Sequence, residues 1–247
     1  MSTIIEVQGV SKSFGGVVAN HNVSMSVKKG GITGLIGPNG SGKTTLFSSV
    51  VGYHPIDGGS IKFEDKEISK LQVQDIARLG LLRTFQQTRI YGAMNGVENM
   101  LISLPHRKMS IWDSLKTNTK LDYERADHLL EFVGLYEKRM LKSGDLSFGQ
   151  QKLLEFAMAL MNEPTCLLLD EPTAGINPTL INGLIERLKR ANTEFGITLF
   201  IIEHNMRVIM NMADTIYCLA HGELLAQGTP DEIQNNQMVI DAYLGAH

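Results

Sequence analysis

Three stretches of the chain are apolar almost without interruption: "ITGLI" at 32–36, "TCLLL" at 165–169 and "ITLFII" at 197–202. Short runs without polar alternation predict strands covered on both faces, as in a parallel sheet flanked by helices. Each run breaks at a polar cluster: a glycine-rich loop after the first, Asp170-Glu171 after the second, Glu203-His204 after the third. In open α/β sheets ligands sit beyond the carboxyl ends of the strands, so the three clusters are expected to converge on one site.

Other segments carry different periods. Residues 4–30 read as β, and in "NVSMSV" Val23, Met25 and Val27 alternate with polar neighbours, the pattern of a half-buried strand. "SIKFEDKEIS" reads as a hairpin, as does "TIYCLAHGELLAQG", turning at His221-Gly222. These pieces suggest an antiparallel lobe. The middle, roughly 90–162, lacks strand alternation and reads as helical. There "ERADHLLEFVGL" sets Ala126, Leu129, Leu130 and Val133 on one face and stops near Gly134. "TPDEI" starts a late helix, with Thr229 as N-cap, Pro230 in the first turn and Glu232 closing a capping box.

Bulk properties narrow the class. The chain has 247 residues, 43% hydrophobic and 20% charged, with a net charge of −3. No basic domain stands out, so nucleic acid is not an expected partner. Cys166 and Cys218 sit inside apolar runs and read as buried structural thiols rather than a disulfide framework. No apolar run approaches the roughly 18 residues of a membrane span, so any action at a membrane needs a separate anchor.

The glycine-rich loop, "GPNGSGKT" at 37–44, matches the phosphate-binding P-loop in full, after a buried strand and before an apolar helix. Glycines let backbone amides wrap phosphates without a Cβ in the way. Asn39, Gly40, Ser41, Gly42, Lys43, Thr44 and Thr45 are the expected nucleotide contacts. Lys43 supplies charge to the β- and γ-phosphates, and the Thr44 hydroxyl is a candidate Mg²⁺ ligand. Asp170 can hold the same ion through its water shell, and Glu171 can orient or deprotonate an attacking water. His204, at the end of the third run, is a candidate γ-phosphate donor. Phe14, followed by Gly15-Gly16, is a candidate platform for the base.

A second helix start, "LSFGQQ" at 146–151, offers two readings. Ser147 to Gln150 is S-x-x-Q, a plain capping box. The small Ser147 and Gly149 at a helix N-terminus also make an anion cradle.

Taken together, the phosphate loop, "RTFQ" with Gln86, "LSFGQ", "LLLDEP", "AGIN" and "EH" at 203–204 occur in an order and spacing that resembles the nucleotide-binding subunit of ATP-binding cassette (ABC) transporters over the whole chain. The resemblance implies an ATPase coupled to transmembrane transport, with ATP and Mg²⁺ as cofactors. It implies an α/β fold: a P-loop NTPase core with a mostly parallel sheet, an antiparallel β lobe and a helical subdomain. A single domain over 1–247 follows, with the lobe at about 4–30, 60–70 and 215–228, the core at about 31–86 and 163–214, the helical part at about 88–162 and C-terminal helices at about 229–247.

The resemblance also assigns roles. Glu171, His204 and Gln86 become catalytic, and Thr44, Gln86 and Asp170 Mg²⁺ ligands. Ser147, Gly149 and Gln150 cap the nucleotide of a second ATPase subunit, identical or different, in a head-to-tail pair. The segment around Thr88 to Asn99, with Arg89, Ile90 and Tyr91, docks an integral membrane permease, placing the chain peripherally on the cytoplasmic side of the membrane. Two positions depart from the family pattern: Phe148 stands where glycine is common, and Asn177 where aspartate is usual. "FGGVVANHNVS", "IIEHNMRVIM" and "VIDAYLG" are similar to the branched-chain amino-acid importer ATPases. Urea or amide importers, the lipopolysaccharide exporter and soluble iron–sulfur assembly ATPases remain alternatives.

Overall fold

The computed structural model describes residues 2–84, 90–104 and 119–244. Gln86 and Arg89, and their assigned roles, lie outside them. The chain divides into two compact units. The first holds Met1–Arg83, Thr165–Thr173 and Leu188–His247, and the second Thr84–Pro164 and Ala174–Arg187.

The first unit opens with strands β1 (Thr3–Phe14), β2 (Val17–Lys28) and β3 (Ile32–Ile36), then helix α1 (Lys43–Val50). Strands β4 (Gly58–Phe63) and β5 (Lys66–Glu67), helix α2 (Val73–Arg78) and strand β6 (Leu81–Arg83) follow. The second unit contains α3 (Gly96–Ile102), α4 (Lys120–Phe132) and α5 (Phe148–Leu160). The chain continues through β7 (Cys166–Asp170), α6 (Pro178–Phe195), β8 (Thr198–Ile202), α7 (Met206–Met212), β9 (Thr215–Ala220), β10 (Glu223–Gly228), α8 (Pro230–Gln234) and α9 (Gln237–Leu244).

Two sheets form the first unit. One is antiparallel, in the order β2-β1-β4-β5. Its β1–β2 connection is a two-residue turn, with φ of 51° at Gly15 and 86° at Gly16. Turns of this mirror-image kind match the twist of paired strands. The other sheet runs β10-β9-β3-β8-β7-β6, parallel from β9 to β6. Every residue of β3, β7 and β8 is buried, as their unbroken apolar sequences require. Side chains from both sheets and α1 share one core, in which the Phe47 and Phe200 rings lie 4.5 Å apart. Burying a ring of that size contributes about 1.5–3 kcal/mol.

The hairpin at 215–228 corrects an expectation. It turns at His221-Gly222, but it belongs to the mixed sheet rather than the antiparallel lobe: β9 pairs in parallel with β3, and only β10 is antiparallel to it. The reason lies in burial. All of β9 after Thr215 is buried, so its apolar run needed cover on both faces and took the flank of β3. The edge strand β6, not foreseen from the sequence, adds beside β7.

In the second unit α3, α4 and α5 pack around Met100, Leu130, Leu154 and Ala157, all fully buried. Helix α4 ends at Val133 and Gly134 as its periodicity predicts, with the Leu135 amide bonded back to the Leu130 carbonyl at 2.7 Å. That pattern is a glycine-terminated helix end. Both cysteines are free and buried. No helix among the described residues is long and apolar enough to cross a membrane.

Candidate functional site

Strand β3 delivers the chain into the loop at 37–42, and two glycines there are sterically compulsory. A Cβ on Gly37 would lie 2.0 Å from the Leu219 carbonyl oxygen, and one on Gly42 2.2 Å from that of Ala19. The loop is pressed against backbone on that side. A Cβ on Gly40 would meet nothing within 4 Å, and Asn39 and Gly40 are exposed, so the loop tip is open. Ser41 is buried, Thr44 exposed and Thr45 half-buried. Lys43 folds into the loop: its Nζ donates to the carbonyls of Gly37 at 2.9 Å and Pro38 at 3.0 Å. Burial holds its ammonium below the ordinary lysine range, while Glu171, Cys218 and Asp170 pull the other way. No acidic residue occupies the first turn of α1. An open loop tip, a confined ammonium and an uncompensated helix N-terminus together make an anion site.

Strand order decides what faces that loop. β8 lies between β3 and β7, and parallel pairing sets Asp170 opposite Ile202. Glu171, at φ 50°, donates its amide to the Ile202 carbonyl at 3.0 Å. Its Oε1 then lies 2.5 Å from His204 Nε2. The two residues expected to act on the attacking water and the γ-phosphate are therefore bonded to each other. Asp170 is buried and accepts from Arg83 Nη2 at 2.6 Å, while Arg83 Nη1 donates to Ser48 Oγ at 2.9 Å.

Glu203 ties the ends of β7 and β8 together. Its Oε1 accepts from the Thr173 amide at 3.0 Å and from the Thr173 hydroxyl, and its Oε2 accepts from the amides of His204 and Asn205 at 3.1 and 3.2 Å. It is 2% exposed. Phe14, beside the β1–β2 turn, is 43% exposed, with its ring edge-on to His54 at 5.1 Å.

In the second unit Ser147 caps α5. The Gln150 amide donates to its hydroxyl at 3.4 Å, and the Gln150 side chain accepts the Ser147 amide at 3.1 Å. The capping box is thus formed, while Ser147 stays exposed and Gly149 half-exposed at the helix tip. The two departures from the family pattern have local accounts. Asn177 Oδ1 accepts from the Thr179 amide at 3.1 Å, which opens α6 as an aspartate would. The Phe148 ring covers Gly175, where a Cβ would lie 2.8 Å from the ring.

Three residues were missed from the sequence. Arg83 stands in "LLRTF" at the end of a three-residue strand, too short to show a period. Glu203 read as the neighbour of His204, and only the fold shows what its carboxylate binds. Asn20, fully buried, donates from Nδ2 to the Gly42 carbonyl at 3.2 Å, a loop contact with no local motif.

The "ABC transporter" family profile matches residues 20–174. The "Branched-chain amino acid ATP-binding cassette transporter" profile matches 223–247. The chain belongs to the ABC transporter family. As a member it binds nucleotide and is an ATPase. This ABC ATPase is 38% identical to the high-affinity branched-chain amino acid transport ATP-binding protein BraF of Pseudomonas aeruginosa, over 98% of each chain. It is 36% identical to the corresponding LivG of Escherichia coli, again over 98% of each. Among solved structures it superposes with a TM-score of 0.88 on a nucleotide-free ATP-binding cassette from an ABC transporter, 33% identical, covering 98% of this chain and 99% of that one. A cassette in its ADP conformation gives the same score at 32% identity, covering 99% of this chain and 100% of that one.

Proposed function

We propose that this ATPase powers import of branched-chain or related amino acids through a separate membrane permease, bound peripherally at the cytoplasmic face. The observation that carries the proposal is near full-length identity, 36–38%, to two transport ATP-binding proteins of that class. The match of 223–247 to the branched-chain profile supports the same cargo class.

The loop amides from Asn39 to Thr45 and the Lys43 ammonium hold the triphosphate. Thr44 and Asp170, with Gln86, would hold Mg²⁺. Thr44 and Asp170 fit the ion: both offer oxygen, Asp170 keeps Oδ1 for it while Oδ2 accepts from Arg83, and Mg²⁺ is held by one or two protein groups with water and phosphate completing its shell. Among the described residues no three His, Cys, Asp or Glu side chains cluster into a cage, in keeping with that mode. When bound, Mg²⁺ would supply positive charge against the phosphates. Glu171 orients the attacking water and accepts its proton, and His204 donates to the γ-phosphate. Their mutual bond holds the two side chains together. Phe14 stacks on the base. Gln86 would contact the γ-phosphate and the Mg²⁺-bound water. The stretch Ser147, Gly149 and Gln150 closes the site of a second ATPase subunit, so ATP joins the pair and hydrolysis releases it.

Two measurements test this. Glu171→Gln should bind MgATP, turn it over very slowly and sediment as a dimer; a persistent monomer at high ATP counts against the shared site. Reconstituted with its permease and binding protein, the ATPase should be stimulated by leucine, isoleucine or valine. Stimulation by urea or amides alone would overturn the cargo class.

A further inference from the structure

The C-terminal helix reaches the root of the phosphate loop. Helix α9 packs beside α8 and β10, with Val239 buried in its first turn. One turn on, and on the same face, stands Tyr243. Its Oη accepts the Gly37 amide at 2.8 Å across 206 residues of sequence. Gly37 is the first residue of the loop, and its carbonyl accepts Lys43 Nζ at 2.9 Å. One residue is therefore held on its amide side by the C-terminal helix and on its carbonyl side by the phosphate-binding lysine. There is no slack at this point, since a Cβ on Gly37 would strike the β9 backbone. Burial pushes the Tyr243 phenol up to about 12, so it stays a neutral hydroxyl.

We propose that Tyr243 is a positioning residue for the nucleotide site. Its hydroxyl fixes the Gly37 peptide, and through it the Lys43 ammonium, so that the C-terminal helix sets nucleotide affinity. The idea rests on residues 37–45 being the nucleotide site, and goes beyond it by coupling that site to the 223–247 segment. The hydroxyl also occupies the first loop amide, leaving the later ones to face phosphate. A helix at the chain terminus would thereby tune the site without touching nucleotide.

Tyr243→Phe in the full chain isolates the hydroxyl, because the ring and its packing remain. One neutral hydrogen bond corresponds to about a fivefold change in affinity. The variant should raise the Kd of both MgATP and MgADP about fivefold by calorimetry. Native-state hydrogen exchange should show the Gly37 amide exchanging faster than in the wild type. A tyrosine that merely pins the helix would lower the melting temperature and leave both affinities unchanged, and that result overturns the proposal. Lys43→Ala, measured alongside, separates the two possible failures. If it loses affinity while Tyr243→Phe does not, only the coupling is wrong. If Lys43→Ala also binds like the wild type, the nucleotide-site reading falls and the coupling with it.

Discussion

Replacing Glu203 by glutamine exchanges one carboxylate oxygen for an NH₂ group at a node that joins two strand ends. The carboxylate accepts four hydrogen bonds, two from Thr173 and two from the amides of His204 and Asn205. A glutamine can offer its oxygen to only one side. The favourable orientation keeps the oxygen on His204 and Asn205 and turns the NH₂ toward Thr173, whose hydroxyl can rotate to accept. The Thr173 amide is then left facing a donor. An orphaned buried amide costs about 1–3 kcal/mol. The two retained bonds lose their charge assistance, worth about 1 kcal/mol together. The sum is about 3 kcal/mol. For a chain of this size each kcal/mol shifts the melting temperature by about 2–4 °C, so Tm should fall by about 10 °C. The bonds that hold the His204 and Asn205 amides are retained but weakened, and a looser placement of the group that pairs with Glu171 should lower kcat about tenfold. Thermal unfolding without nucleotide, and steady-state ATPase well below both transitions, measure the two effects. A Tm within about 2 °C of the wild type, with kcat unchanged, would refute the idea that Glu203 fixes the geometry of both turns.

Three further outcomes are expected. Lys43→Ala should weaken MgATP binding about 100-fold in calorimetry, since a confined phosphate partner is lost; an unchanged Kd would remove the role assigned to that lysine. Gly175→Ala should destabilise by about 2 kcal/mol, combining a left-handed backbone with the Phe148 ring in its path, and by only about 1 kcal/mol in a Phe148→Ala background; equal costs by urea unfolding in both backgrounds would show that the pair does not interlock. Asp57 is held below its ordinary value of 3.8 by the Lys12 hydrogen bond first and the Ser13 amide second. A depressed carboxyl stabilises the fold above the unfolded value and loses that contribution as pH falls through the folded one. Asp57→Asn should therefore be less stable than the wild type at pH 6, with the gap in urea midpoints closing as the pH falls well below 3.8; a gap that persists there contradicts the linkage.

Much of the site was readable because its chemistry is local. The P-loop needs glycines, lysine and threonine in consecutive order, and the clusters at Asp170 and His204 announce themselves by ending apolar runs. The hairpin at 215–228 was also legible as a hairpin, since its turn and periodicity are local. Its sheet was misjudged because partner choice depends on how much of β9 is buried, and alternation within one strand carries no information about which neighbour covers it. The unbroken "IYCLA" run was nonetheless a signal that it joins the central sheet.

By itself, then, the sequence determined the three buried strands, the hairpin at 215–228, the end of α4 and the glycine loop after β3, because periodicity, capping and loop sterics act over a few residues. Tertiary structure alone decided that β8 runs between β3 and β7, that Arg83 grips Asp170, that Glu203 joins two turns and that Tyr243 reaches Gly37. Each of these unites groups far apart along the chain. Their distances are set by the register of parallel strands and by which buried polar atoms need partners, and both exist only once the core has closed.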